Sequence, residues 1–376
     1  MSRKYNINHS PNLALEAGGF LYEMLRESEK KVIENYHSFG KKEEEMLDLF
    51  ASYLEYKKVL LKEVLPIYRK YPRLEKIFQM EDEGEYDFDL GYYLIILLEQ
   101  KLEKSLSKEE VDELVGECIF DMVEDFGIDL DEDTKIQSLS QTIEILEKVK
   151  LSDGNKLRVI YLYQNRYEIV EQIKKFLEEV IPSFQKHYTI IEDDYKRYVD
   201  KIERLEKLNS ILDQIVNLTT LKDVEGNIRL TIFPFNRLSV RYKYDILTYS
   251  IGMYFFTLGE LKDTNKTQGN GLVTDLKALG DITRLNIINR IAKRPMYIQE
   301  LSDELDLTPA TISHHVNILL KSELITIILD ERKAKKIYYK PNERKLAELG
   351  EIITNLASEN REEMDLSGSI NQISIV

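Results

Sequence analysis

The chain has 376 residues, 43% hydrophobic and 32% charged. That length exceeds a typical compact domain, and the composition suits a folded soluble protein rather than a disordered one. Its 52 Lys and Arg against 67 Asp and Glu leave a net charge of −15, which excludes nucleic-acid binding over the whole surface.

The single cysteine, Cys118, excludes an internal disulfide framework and a multi-cysteine zinc site, and it points to a reducing, cytoplasmic setting. Sixteen glycines and eight prolines are few enough to favour long helices over a β-sandwich. The opening residues lack the apolar core of a signal peptide.

Helical spacing begins early. Leu13, Leu15, Phe20, Leu21 and Leu25 fit one helix, and Leu47, Leu49, Phe50, Leu54, Leu60 and Leu61 fit another. Residues 90–104 and 109–124 read as two more. The most apolar run, Tyr92 to Leu98, is followed by Glu99 and is far shorter than the roughly 20 residues that span a bilayer. It reads as a buried helix, and no membrane partner is expected. A helix from Glu168 is expected to stop at Val180, before Pro182, and a long charged helix to run from about Ile190 to Val216. The runs from Ile228 to Phe233 and from Leu238 to Tyr242 then alternate by two, and Ile246 to Phe256 is rich in Ile, Tyr, Phe and Thr. They predict a small antiparallel sheet over 228–258, with a helix left open for Asp245 to Leu258. Thr264 to Gly271, without a large apolar residue, reads as a linker.

Beyond the linker the charge reverses. Residues 266–345 hold 14 Lys and Arg against 10 Asp and Glu, whereas residues 1–265 hold 37 against 51 and residues 346–376 hold 1 against 6. A basic window in an acidic chain is what one nucleic-acid-binding module would produce. Leu272, Val273, Leu276 and Leu279 share a helical face closed by Gly280. Asp281 can cap a second helix with the stripe Leu285, Ile288, Ile291 and Ala292, which Pro295 ends. Ile298 to Leu305 is a short third helix, and Asp306-Leu307 a turn. Thr308-Pro309 then supplies a cap and a first-turn proline for a fourth helix, to about Ser322.

At about 100° per residue, Ile312, His315, Val316, Leu319 and Leu320 of that helix crowd one side. The opposite arc shows Ala310, Thr311, Ser313, His314, Asn317 and Lys321. Short polar side chains in the first turns let a helix sit deep in a major groove and reach base edges. Two β-like runs follow, Leu324 to Asp330 and Ile337 to Lys340. They enclose Glu331-Arg332-Lys333-Ala334-Lys335-Lys336, a cationic tip suited to phosphates.

Leu276-Lys-Ala-Leu-Gly-Asp281, Thr283-Arg284-Leu285 and Ile312-Ser-His-His-Val316 before Leu319-Leu320 resemble the winged-helix domain of the ArsR family of bacterial transcription regulators. The resemblance covers about 75 of the 376 residues. The part before it is similar to the helical extension of one branch of ArsR-like regulators.

The resemblance implies a repressor that binds an inverted-repeat site on double-stranded DNA as a homodimer. Leu272 to Leu279 and Leu346 to Leu356 would be the dimer surfaces. It places Ala310, Thr311, Ser313, His314 and Asn317 in the major groove, with Lys321, Arg332, Lys333, Lys335 and Lys336 on phosphates or the minor-groove edge. The metal-sensing members carry Cys-x-Cys where this chain has Met296-Tyr-Ile-Gln-Glu300, or histidine on the helix after the wing, where Glu343 to Ala357 has none. No metal or other cofactor is therefore expected. The wing tip also lacks the glycine common there.

Adjacent helical residues point apart, so His314 and His315 do not form a chelating pair; His315 reads as packing. Asp129, Asp131 and Asp133 resemble the start of a calcium loop, but Thr134 stands where glycine is needed and Ser140 where glutamate is needed. No dinucleotide, phosphate-loop, zincin or nucleophile-elbow motif occurs, so an enzyme is not expected.

The expected architecture is mainly α with small β. Residues 1–262 form a helical domain with a small sheet, responding to a small-molecule or protein effector; 263–271 are a linker; 272–345 form the winged helix; and 346–376 are a helix and tail. Two alternatives stay open: an enzymatic or ligand-binding N-terminal domain with a winged-helix appendage, and a winged helix that binds protein.

Overall fold

The computed structural model describes residues 5–79, 89–125, 130, 134–149, 151–204, 208, 212, 216–217, 225–243, 246–265, 271–329 and 337–365. The chain opens with strand β1 (Tyr5–Ile7), followed by helices α1 (Leu13–Arg26), α2 (Ser28–Glu34), α3 (Glu43–Leu49), α4 (Ala51–Tyr68), α5 (Pro72–Phe78), α6 (Leu90–Leu98), α7 (Lys108–Asp125), α8 (Leu139–Lys148), α9 (Asp153–Gln164), α10 (Arg166–His187) and α11 (Glu192–Glu203). Strands β2 (Val216–Asn217), β3 (Glu225–Thr231), β4 (Leu238–Lys243) and β5 (Ile246–Gly252) come next. Helices α12 (Phe255–Asn265), α13 (Gly271–Leu279), α14 (Ile282–Ile291), α15 (Ile298–Leu305) and α16 (Pro309–Lys321) follow, then β6 (Ile325–Leu329), β7 (Ile337–Pro341) and α17 (Glu343–Asp365). The mainly helical class with small sheets is as the sequence indicates. Among the described residues no helix is long and apolar enough to cross a membrane.

α1 lies at the centre of the N-terminal core. Asn12 caps it, its side chain accepting from the amides of Ala14 and Leu15, and Leu15, Ala17, Phe20 and Leu21 are all buried. The turn between β3 and β4 crosses its surface so closely that a Cβ on Gly19 would meet the Phe233 carbonyl oxygen at 2.2 Å. A side chain there would have to push backbone aside, which is why glycine is tolerated within this helix. One turn earlier, Glu16 is buried and its carboxylate accepts from the Ile232 and Phe233 amides at 2.8–3.1 Å. Burial pushes the Glu16 carboxyl up to about 8, against the pull of those two amides and of Arg229.

The sheet expected to be antiparallel is mixed. Its order is β1-β3-β5-β4; β1 and β5 run parallel to β3, and only β4 is antiparallel, to β5. Alternation explains which side chains are buried, since Leu247, Tyr249 and Ile251 of β5 all point inward. It says nothing about which strand lies alongside, because a period of two is common to both pairings. The stretch left open between strand and helix is both, β5 and then the start of α12.

Other boundaries also differ. α10 runs through Pro182 to His187. An internal proline forfeits a helical hydrogen bond at a cost of about 3 kcal/mol, but the turn after it buries Phe184 against Phe20, with ring centroids 5.8 Å apart, and Tyr56 Oη donates to the Phe184 carbonyl. The early apolar stripe is split at Phe50 into α3 and α4. The long charged helix stops at Glu203, and Val216 belongs to β2. Within the expected linker, Thr264 and Asn265 end α12 and Gly271 opens α13; residues 266–270 lie outside the described residues.

Buried hydrophobic side chains gather in two clusters. The larger spans α1 through α12; the smaller joins α13 to α17 with β6 and β7.

Candidate nucleic-acid interface

Short-range signals fix each element of the C-terminal unit. The Asp281 side chain accepts from the Arg284 amide at 3.0 Å and starts α14, and that bond holds the Asp281 carboxyl below its ordinary range. The Arg284 guanidinium reaches back to the Ala278 and Lys277 carbonyls, tying α13 to α14. The Tyr297 amide donates to Glu300 at the start of α15. Asp306 ends that helix with φ of 53°, and Ser302 Oγ donates to the Leu307 carbonyl. The turn thus formed points the chain into α16, where Thr308 Oγ1 accepts from the Thr311 amide at 3.0 Å and Pro309 fills the first turn.

α16 is held by its apolar side. Ile312, Val316 and Leu319 are buried against Ile287, Ile291, Leu301 and Leu324. His315 turns inward, 13% of its side chain exposed, with Nδ1 3.7 Å from an Asp281 carboxylate oxygen. On the other side His314 is exposed, and Thr311 and Asn317 are half-buried.

Ser313 is the departure: at 5% exposure it is buried, at the margin of the core face rather than on the open arc. The helical wheel places it only about 60° from Val316, so shallow packing beside Val316 covers a small side chain. Ala310 and Lys321 lie on the same helix, but their side chains fall outside the described residues, as do Arg332, Lys333, Lys335 and Lys336. The structure therefore brings Thr311, His314 and Asn317 onto one accessible strip of α16.

β6 and β7 form the predicted hairpin, antiparallel from Ile325↔Pro341 to Leu329↔Ile337. A bridge from Met296 to Tyr339 anchors it just ahead of α15, and Tyr297 meets Tyr338 edge-on at 5.5 Å. The two strands thereby belong to the same unit that presents α16.

Two features were not read from the sequence. Asp275 of α13 is buried, and Lys345 of α17 pairs with it at 3.1 Å; the partners stand 70 positions apart, so no local pattern reports them. The same two helices expose Val273 (50%), Leu276 (40%), Ile352 (47%) and Ile353 (43%). The resemblance marked both helices as dimer surfaces, but it could not separate residues that pack on the domain's own core from residues left open. Among the described residues no cluster of His, Cys, Asp and Glu could hold a metal ion.

The profile described as "Bacterial regulatory protein, arsR family" matches residues 281–326, from the cap of α14 into β6. The chain is also 35% identical to the transcriptional repressor SdpR of Bacillus subtilis (strain 168) over 66 residues, which are 18% of this chain and 70% of SdpR. No solved structure matches the chain.

Proposed function

Because this chain belongs to the arsR family of bacterial regulatory proteins, we propose that it is a DNA-binding transcription repressor, acting as a homodimer on an inverted-repeat operator. The observation that carries this reading is the outward strip of α16, on a helix whose opposite side is locked into a core of its own. Thr311, His314 and Asn317 face the major groove, with Ala310 beside them. Lys321, Arg332, Lys333, Lys335 and Lys336 meet phosphates. The free apolar residues of α13 and α17 pair with those of a second copy, which sets two recognition helices about 34 Å apart on successive grooves.

Residues 1–262 are the responsive part. Their acidity disfavours contact with DNA, and an effector bound there would alter the spacing of the two recognition helices.

The test is retention of duplex fragments from the source genome at low salt, followed by alanine at Lys333, Lys335 and Lys336. Wild type should retain specific fragments. The triple variant should bind every duplex more weakly, with a salt dependence flatter by about one unit per lost phosphate contact. Failure of wild-type protein to retain any duplex refutes the proposal; an unchanged salt slope refutes the role of the wing.

A further inference from the structure

The outer edge of the wing is closed by a strand from the other half of the chain. β7 lies between β6 and the Met296 bridge, so the hairpin alone would leave β6 as an open edge. Val216 and Asn217 of β2 occupy that edge instead, parallel to β6 and in register with Ile327 and Ile328. β6 reads Ile-Thr-Ile-Ile-Leu, and an apolar edge of this kind is a template for pairing with any available strand. Ile327 packs against both hydrophobic clusters, so the contact is made by a side chain as well as by backbone.

We propose that β2 is an intrachain clamp. By adding to the wing edge it holds the acidic half of the chain against the DNA-binding unit and keeps that unit in a state of low affinity for duplex DNA. Release of β2 raises the affinity. The inference rests on the DNA-binding reading above and supplies its regulation.

Charge and distance give the direction of the effect. Paired strands lie about 4.8 Å apart, inside the screening length of about 8 Å at physiological ionic strength. Residues 1–265 carry 37 Lys and Arg against 51 Asp and Glu. A clamp at the wing edge therefore keeps the net negative half of the chain closer to an approaching phosphate backbone than a released one does, which opposes binding. Among the described residues the ladder is two pairs long, short enough for an effector that prefers the released form to open it.

Two variants of the full chain test this. Val216→Pro with Asn217→Pro removes both amide donors of β2. The Ile327 amide, which faces away from β7, should then exchange faster, and affinity for every duplex should rise about fivefold to tenfold at low salt, the lower range of typical coupling. The gain should shrink as salt is raised. The second variant, Asn217→Cys with Ile328→Cys, joins residues that are direct partners, at a spacing a disulfide accepts. Cys118 is buried and does not compete. Oxidation should lower duplex affinity and reduction restore it, in one folded sample.

Unchanged amide exchange in the proline variant overturns the clamp, and so do equal affinities of the oxidised and reduced forms of the double-cysteine variant. If neither wild type nor either variant holds a duplex, the repressor reading falls and the clamp with it. If wild type binds DNA as tightly as the proline variant, only the clamp falls.

Discussion

Replacing Lys345 with methionine removes the cation that faces a carboxylate in the C-terminal core. The Asp275 side chain is 5% exposed and that of Lys345 18%, with 3.1 Å between Nζ and Oδ2. The second carboxylate oxygen, Oδ1, has no hydrogen-bond partner, so no other bond compensates for a lost ammonium. Breaking one partner of a buried pair costs about 3–5 kcal/mol, while replacing both by uncharged groups of similar shape is often near neutral. Lys345→Met should therefore lower the opening free energy of α13 and α17 by about 3 kcal/mol, and adding Asp275→Asn should restore most of it. Amide hydrogen exchange of peptides from those helices, measured in the full chain for wild type, both single variants and the double, gives the coupling directly. The reasoning fails if the single variant exchanges as wild type does. It fails equally if the double is as destabilised as Lys345→Met alone, since the cost would then be lost packing of the lysine stem rather than a stranded charge.

Three further outcomes follow from the same geometry. Val273→Lys with Ile352→Lys, both at exposed positions, should leave the fold intact but dissociate the homodimer; sedimentation showing the same mass as wild type would remove these helices from the interface. His314→Ala should reduce preference for the cognate operator by about 1–3 kcal/mol, the range of a good base contact, with little change on unrelated duplexes; equal losses on both would make His314 a phosphate ligand. Glu16 has a folded-state value of about 8, above its ordinary 4.5, so its contribution is fully present below about pH 4.5 and is lost as pH rises toward 8. The stability of wild type relative to Glu16→Gln should accordingly fall between pH 5 and 8, by up to about 1.4 kcal/mol per unit. A stability difference that stays flat across that range in denaturant titrations refutes the assignment.

The C-terminal unit was legible because its signals are local. Asp281, Asp306 and Thr308-Pro309 act on amides and carbonyls within a few residues, and the two β-like runs of β6 and β7 meet in one hairpin. Among the described side chains of α16 the helical wheel separated core from open face except at Ser313, which lies at the margin where the depth of packing decides. The N-terminal half was legible only in outline. Nothing local distinguishes Glu16 from the other acidic residues; its burial depends on a turn more than 200 positions away. The parallel addition of β1 to β3, and the continuation of α10 past Pro182, likewise depend on partners that arrive from distant sequence.

The same contrast explains why the sequence of the C-terminal unit points to chemistry while that of the N-terminal half does not. A helix suited to a major groove needs one amphipathic segment and a cap, and the 13 consecutive residues of α16 supply both. A sensing site must be assembled from several elements, and only their packing reveals which side chains converge. What the fold does supply is the path between the halves. The chain passes from one core to the other through α12 and α13, and β2 makes a second attachment at the wing. With a single covalent tether, two such units would reorient freely. With β2 paired to β6, the N-terminal half has a second attachment to the C-terminal unit, at the hairpin edge rather than at α16.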